Sequence, residues 1–213
     1  GDATNVITLA STMDDVITGG TGSDTLILGT VGGSAAEDLG ADTIDLGTGT
    51  DTLSFAGRTT GIVINIGSTD AYLNGKDGNT ASTAETVAAG ALFDSEGSTS
   101  GDESTVAGVE VVIGGDGDDN IFGSTASDTL DGGAGDDVVN GAAGADDLSG
   151  GAGDDTVNGG AGNDAIDGGE GADVLTGGEG ADTFTIATLT GGTDTISDFV
   201  AGADVLNLDV ATG

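Results

Sequence analysis

Residues 114–185 form eight consecutive nine-residue units without a break in register. The first is Gly114-Gly115-Asp116-Gly117-Asp118-Asp119-Asn120-Ile121-Phe122, and the last is Gly177-Gly178-Glu179-Gly180-Ala181-Asp182-Thr183-Phe184-Thr185. Position 1 is Gly in all eight units. Position 6 is always Asp: Asp119, Asp128, Asp137, Asp146, Asp155, Asp164, Asp173 and Asp182. Position 8 is always apolar: Ile121, Leu130, Val139, Leu148, Val157, Ile166, Leu175 and Phe184. Position 4 is Gly except at Ala126, and position 2 is Gly except at Ser124 and Ala142. A disordered, solvated linker is the plainer reading of Gly- and Asp-rich sequence. Such a linker has no reason to place an apolar residue at every eighth position.

This pattern resembles the nonapeptide repeat of the RTX (repeats-in-toxin) family, a calcium-binding parallel β-helix repeat. The resemblance implies an all-β fold, a right-handed parallel β-roll (β-helix) of stacked nonapeptide turns, with an insertion loop and a C-terminal capping segment. Each unit divides into a six-residue loop and a three-residue strand. Glycines at positions 1, 2 and 4 are expected to supply the positive φ values of tight turns. Position 8 points inward, and two units make one turn. The loops of units n and n+2 then stack about 4.8 Å apart, like neighbouring strands.

Weaker units in a separate register occupy residues 10–54, with Asp15, Asp24, Asp42 and Asp51 at position 6 and Ile17, Leu26, Ile44 and Leu53 at position 8. The unit from Leu28 to Ala36 is degenerate, with Gly33 at the Asp position. We read residues 1–66 as a degenerate N-terminal roll. It ends in two strands over 51–66, where Ile62, Ile64 and Ile66 alternate with Val63 and Asn65. Residues 67–104 lose the period and read as a polar insertion loop, with a short helix over Thr83–Leu92 weakened by Gly90. Residues 105–185 form the regular roll, led in by a unit with Glu110 at the Asp position and Val112 at the apolar one. Residues 186–213 resemble the strands that close RTX blocks, and Phe199, Val205, Leu206 and Leu208 are expected to give the stack end its apolar cover.

Charge narrows the partners. Asp and Glu number 38 against 2 Lys and Arg, a formal charge of −36, so nucleic acid and anionic membranes are repelled and cations attracted. No apolar run reaches the length of a membrane-spanning helix. Gly1–Asn5 lacks a charged leader with an apolar core, so no secretory signal peptide is expected there, and the absence of an initiator Met suggests a fragment or a processed chain. There is no His or Cys, which excludes a Ser-His-Asp triad, a zinc-protease helix and a Cys nucleophile. The expectation is a non-enzyme, although an acid pair within 67–104 of the kind that cleaves glycosides is left open.

Stacked loops bring backbone carbonyls and Asp oxygens face to face. An all-oxygen cage suits Ca²⁺ better than Mg²⁺, and zinc or copper would want His or Cys. In the RTX family each ion bridges one unit and the unit two further on. Carried over here, this pairs Asp119 with Asp137, Asp128 with Asp146, Asp137 with Asp155, Asp146 with Asp164, Asp155 with Asp173, and Asp164 with Asp182. The glycines expected to lend carbonyls are Gly115, Gly117, Gly133, Gly135, Gly151, Gly153, Gly160, Gly162, Gly169, Gly171, Gly178 and Gly180. Asp15, Asp24, Asp42, Asp51 and Asp194 complete the candidate metal set, whereas the position 5 acids Asp118, Asp136 and Asp154 read as solvated charge.

The resemblance implies several Ca²⁺ ions as cofactor, type I secretion, and a chain that folds on meeting extracellular calcium. The Thr-, Ala- and Gly-rich, Lys-poor, Cys-free composition resembles secreted surface-layer proteins of the RTX type. The function expected is a calcium-binding structural module of a secreted surface protein, surface-layer or adhesin in type, with self-association into a lattice. The alternative is an accessory secretion and folding module beside the catalytic domain of a protease, lipase or polysaccharide epimerase, or in a toxin.

Overall fold

The computed structural model describes residues 4–9, 16–28, 43–59, 61–66, 71–73, 85–87, 91–94, 104–187 and 192–209. Six strands come first: β1 (Val6–Leu9), β2 (Val16–Thr21), β3 (Thr25–Leu28), β4 (Thr43–Thr48), β5 (Thr52–Ser54) and β6 (Ile62–Asn65). Then follow β7 (Ala71–Leu73), β8 (Glu85–Val87), β9 (Ala91–Asp94) and β10 (Ser104–Ala107). The regular block and its continuation give β11 (Val111–Ile113), β12 (Asn120–Phe122), β13 (Thr129–Ala134), β14 (Val138–Asn140), β15 (Asp147–Ala152) and β16 (Thr156–Ala161). They also give β17 (Ala165–Glu170), β18 (Val174–Glu179), β19 (Thr183–Ala187), β20 (Thr195–Ile196) and β21 (Val205–Asp209).

Apart from the β7–β8 pair, these strands wind into one β-roll, parallel throughout except at β9. One sheet runs β1-β3-β5-β11-β13-β15-β17-β19-β21, and the facing sheet runs β2-β4-β10-β9-β6-β12-β14-β16-β18-β20. In the regular block each strand pairs with the next strand but one, as Leu130 with Leu148 and Val139 with Val157, so two units make one turn. Several strands are longer than the three residues expected, because pairing continues through the glycines of the next unit, as Gly151 with Gly169.

The core is a double file of single side chains. Leu26, Leu53, Val112, Leu130, Leu148, Ile166 and Phe184 lie in register on one sheet. Ile64, Ile121, Val139, Val157 and Leu175 line up on the other, and all of these residues are buried. Each such burial is worth roughly 1.5–3 kcal/mol; the N-terminal block adds Leu28, Leu46, Phe55 and Ile62, but a turn of the regular block contributes only two. So thin a core leaves much of the cohesion to the loops.

Four features depart from the sequence reading. From Val16 to its partner Thr43, and from Thr25 to its partner Thr52, the coil advances by the length of three units instead of two. The degenerate unit falls in this interval, largely outside the described residues. Next, β5 pairs directly with β11 and β6 with β12, which joins the two repeat blocks into one stack. The helix expected over Thr83–Leu92 is replaced by strand: Glu85–Val87 pairs with β7, and Ala91–Asp94 enters the second sheet antiparallel to both β6 and β10. Finally, of the four residues expected to cover the stack end, Phe199 meets Phe184 with ring centroids 6.2 Å apart, while Val205, Leu206 and Leu208 remain exposed beside it.

The glycines divide by cause. From Gly133 onward the position 2 and position 4 glycines have positive φ, as Gly151 at φ 109° and Gly135 at φ 119°, whereas Gly115 and Gly117 do not. Position 1 glycines do not, contrary to expectation. There a Cβ would collide with the unit's own Asp carboxylate, as Gly159 against Oδ2 of Asp164 and Gly168 against Oδ2 of Asp173. Among the described residues Ala142, at position 2, is the only non-glycine with positive φ, at 73°. A left-handed L-residue costs roughly 1–2 kcal/mol, part of which the greater unfolded entropy of glycine offsets. Ala142→Gly should therefore stabilise the calcium-saturated protein by about 1 kcal/mol, read as a higher midpoint in urea unfolding.

Candidate metal centre

The position 6 carboxylates stand in two rows, one along each loop edge of the roll. On the edge where loops pass from the first sheet to the second, the N–H of Asp119 donates to Oδ1 of Asp137 at 2.7 Å. The N–H of Asp137 donates to Asp155 at 2.7 Å, that of Asp155 to Asp173 at 2.9 Å, and that of Asp173 to Asp194 at 3.2 Å. On the opposite edge Asp128 donates to Asp146, Asp146 to Asp164 and Asp164 to Asp182 at 2.9–3.0 Å, and Asp182 to Asp204 at 3.1 Å. All six pairs inferred from the sequence are thus brought together.

The same edge extends into the N-terminal block. Asn5 donates to Oδ1 of Asp24, the N–H of Asp24 to Asp51 at 2.7 Å, and the N–H of Asp51 to Oε2 of Glu110 at 2.9 Å. Asn5 and Asp204 were missed as row members. Asn5-Val6-Ile7 and Asp204-Val205-Leu206 repeat the acceptor-x-apolar signature of positions 6 to 8, but their spacings of 19 and 22 residues fall outside the strict period. Asp15 and Asp42 lie outside the described residues.

Ionised carboxylates are seldom buried unpaired, yet every described position 6 Asp of the regular block is buried. One oxygen is spent on the ladder bond. The other, Oδ2 of Asp24, Asp51, Asp137, Asp146, Asp164 and Asp173, is buried without a hydrogen-bond partner. At Asp128 the roles reverse: Ser124 holds Oδ2 through its N–H and Oγ, and Oδ1 is left over. Carbonyls crowd the same space, since a Cβ on Gly132 would strike both Oδ2 of Asp137 and Gly150 O, and one on Gly159 both Oδ2 of Asp164 and Gly177 O. Among the described residues no three carboxylate, imidazole or thiol side chains converge, so main-chain carbonyls must complete any coordination shell. Oxygen donors only, partly charged and adaptable in number, are the set a hard cation such as Ca²⁺ takes.

The position 5 acids are not merely solvated charge. Though exposed, they form an outer ladder of their own: the N–H of Asp136 donates to Asp118, that of Asp154 to Asp136, and that of Ala172 to Asp154, each at 2.9 Å. This runs in the opposite sense to the inner ladder, so it binds the same loops from the other side. The other edge uses neutral residues there, Ser127 under Ala145 and Asn163 under Ala181.

A stacked roll with carboxylates turned inward along both edges is a cation-binding solenoid. Four copies of the RTX calcium-binding nonapeptide repeat match the chain, at residues 10–30, 38–54, 113–148 and 149–184, and together they cover more than half of it. The chain belongs to this family, whose repeats bind Ca²⁺ and occur in type I-secreted extracellular proteins. The roll is a structural calcium-binding fold rather than a catalytic one. No curated protein matches the chain. No helix among the described residues is long and apolar enough to cross a membrane.

Burial pushes the carboxyl of Asp137 from 3.8 up to about 8, against the hydrogen bond from Asp119 N–H and with added repulsion from Asp119, Asp155 and Asp118. Burial raises Asp119 and Asp146 to about 6, and it raises Asp128, Asp164 and Asp173 as well. A folded-state value above the unfolded one gives stability that is complete below the unfolded value and lost as pH rises through the folded one. In chelator, therefore, β-structure should increase as pH falls from about 8 toward 4, followed by far-UV circular dichroism. In calcium this dependence should flatten, and binding near pH 6 should release protons. A chelated chain that loses β-structure on acidification would contradict the assignment.

Proposed function

We propose that this chain is the calcium-rigidified structural part of a secreted surface protein, surface-layer or adhesin in type. One observation carries the reading: the row of one edge runs from Asn5 to Asp204 and that of the other from Asp119 to Asp194, with second oxygens such as those of Asp137 and Asp164 buried and unpartnered, so the described chain is organised around binding cations. Ions would sit between stacked loops, held by Asp119 and Asp137, Asp128 and Asp146, and the pairs that continue each row, with loop carbonyls including those of Gly115, Gly133, Gly135 and Gly151. Bound calcium would neutralise carboxylates that otherwise repel, so binding free energy becomes folding free energy. The chain would stay unfolded where calcium is scarce and set into a rod outside the cell.

Neighbouring residues separate the inner ladder from the outer one. Asp137 belongs to two proposed pairs and Asp136 to none. Asp137→Ala should remove about two bound ions in native mass spectrometry, with Asp136→Ala leaving the count unchanged. Equal losses would sink the placement of the ions.

The structural role is tested by assembly. The chain alone, given calcium and then examined by negative-stain electron microscopy and light scattering, is expected to form ordered sheets or filaments that chelator disperses and magnesium does not support. A strict monomer that restores folding to a fused catalytic domain would favour an accessory module of a secreted enzyme or toxin instead.

A further inference from the structure

Arg58 is one of two basic residues against 38 acids, and it is the largest fully buried side chain among the described residues, at 1% exposure. A buried guanidinium costs several kcal/mol unless an anion faces it. Its position in the stack indicates which anion.

Loop 55–61 links β5 to β6 and lies one turn before loop 114–119, since β5 pairs with β11 and β6 with β12. The N–H of Ile62 donates to Oδ1 of Asp119 at 2.7 Å, the same bond that joins Asp119 to Asp137 one turn later. The N–H of Asp116 bonds to the carbonyl of Arg58, and a Cβ on Gly115 would come within 3.3 Å of the Arg58 Cβ. The two loops are therefore stacked as a proposed ion-binding pair is stacked.

The pair nevertheless differs from its successors in three ways. Position 6 of the earlier loop falls at Ile62, a fully buried apolar residue, so that slot supplies no carboxylate. Asp119 is therefore the one position 6 carboxylate at this junction. Its Oδ2 accepts a 2.7 Å bond from Gly115 N–H, whereas Oδ2 of Asp137 and Asp173 on the same edge is left without a partner. The positive charge of Arg58 acts on Asp119, favouring its ionised form against burial.

We propose that the guanidinium of Arg58 takes the place of a calcium ion between loops 55–61 and 114–119. The junctions match in kind: here a guanidinium stands over the carboxylate of Asp119, and in each later turn of this row a divalent ion stands between two carboxylates, each shared with the neighbouring turn. The seam between the N-terminal and the regular repeats is thereby closed by a cation encoded in the chain, and it holds whether or not calcium is present. This inference rests on the ion positions proposed above.

The test is a crystal structure of the calcium-loaded chain with anomalous scattering from the metal. Ions are expected between loops 114–119 and 132–137 and onward along the row, with none between loops 55–61 and 114–119, where Arg58 should stand. An ion at that junction with Arg58 displaced would overturn this inference alone. No ions in the regular turns would overturn the ion placement as well. In solution, Arg58→Met should lower the thermal midpoint of the calcium-saturated protein by removing the cation from this junction. Adding Asp119→Asn should then cost less than it does in the parent chain, and strictly additive losses would refute the pairing.

Discussion

The hydrogen bond from the N–H of one position 6 residue to the carboxylate of the next turn governs the rest of the molecule. It fixes the vertical spacing of the loops, orients each carboxyl group, and turns the second oxygen toward the space between turns. It also concentrates charge: Asp119, Asp137, Asp155, Asp173 and Asp194 follow one another up a single edge. Carboxylates spaced at a strand's width and shielded from water repel strongly. A file of single aliphatic side chains has little stability in reserve against that repulsion. Cation binding would relieve that repulsion where it is most concentrated.

Two ladders running in opposite senses hold each loop in place. The inner one passes from an N–H to the following turn's carboxylate, and the outer one from an N–H to the preceding turn's position 5 side chain. The outer ladder is acidic on one edge and largely neutral on the other, so the two edges offer cations different fields. Asp118 contributes to the raised carboxyl of Asp137, an influence that Ser127 and Asn163 cannot exert across the roll.

Much of this was legible because the period is so strict. Eight repetitions of one apolar position specified the core residue by residue, and the invariant Asp specified both edges. What escaped had physical causes that a period does not encode. The invariance of the first glycine looked conformational and proved to be steric, since only the folded loop shows the carboxylate lying where a Cβ would go. Asp204 sits beyond an irregular spacing, and register-based reasoning loses its count there. The segment around Ala91–Asp94 carried an ambiguous apolar pattern, and its strand form depends on backbone partners, β6 and β10, that are remote in sequence. Arg58 stood in a stretch already recognised as strand–turn–strand, but its burial follows from a loop in the next block.

The antiparallel strand β9 has a kinetic consequence. A plain coil grows like a zip, each turn closing a loop two units long on its predecessor. At the seam the closures run from Thr52 to Val111 and from Thr43 to Thr105, each more than three times as long. The added entropy is modest, about 1 kcal/mol, but β10, β9 and β6 must also meet in an order that runs against the chain. The two halves are therefore expected to nucleate separately and to be stitched together afterwards, the contacts of the seam forming last.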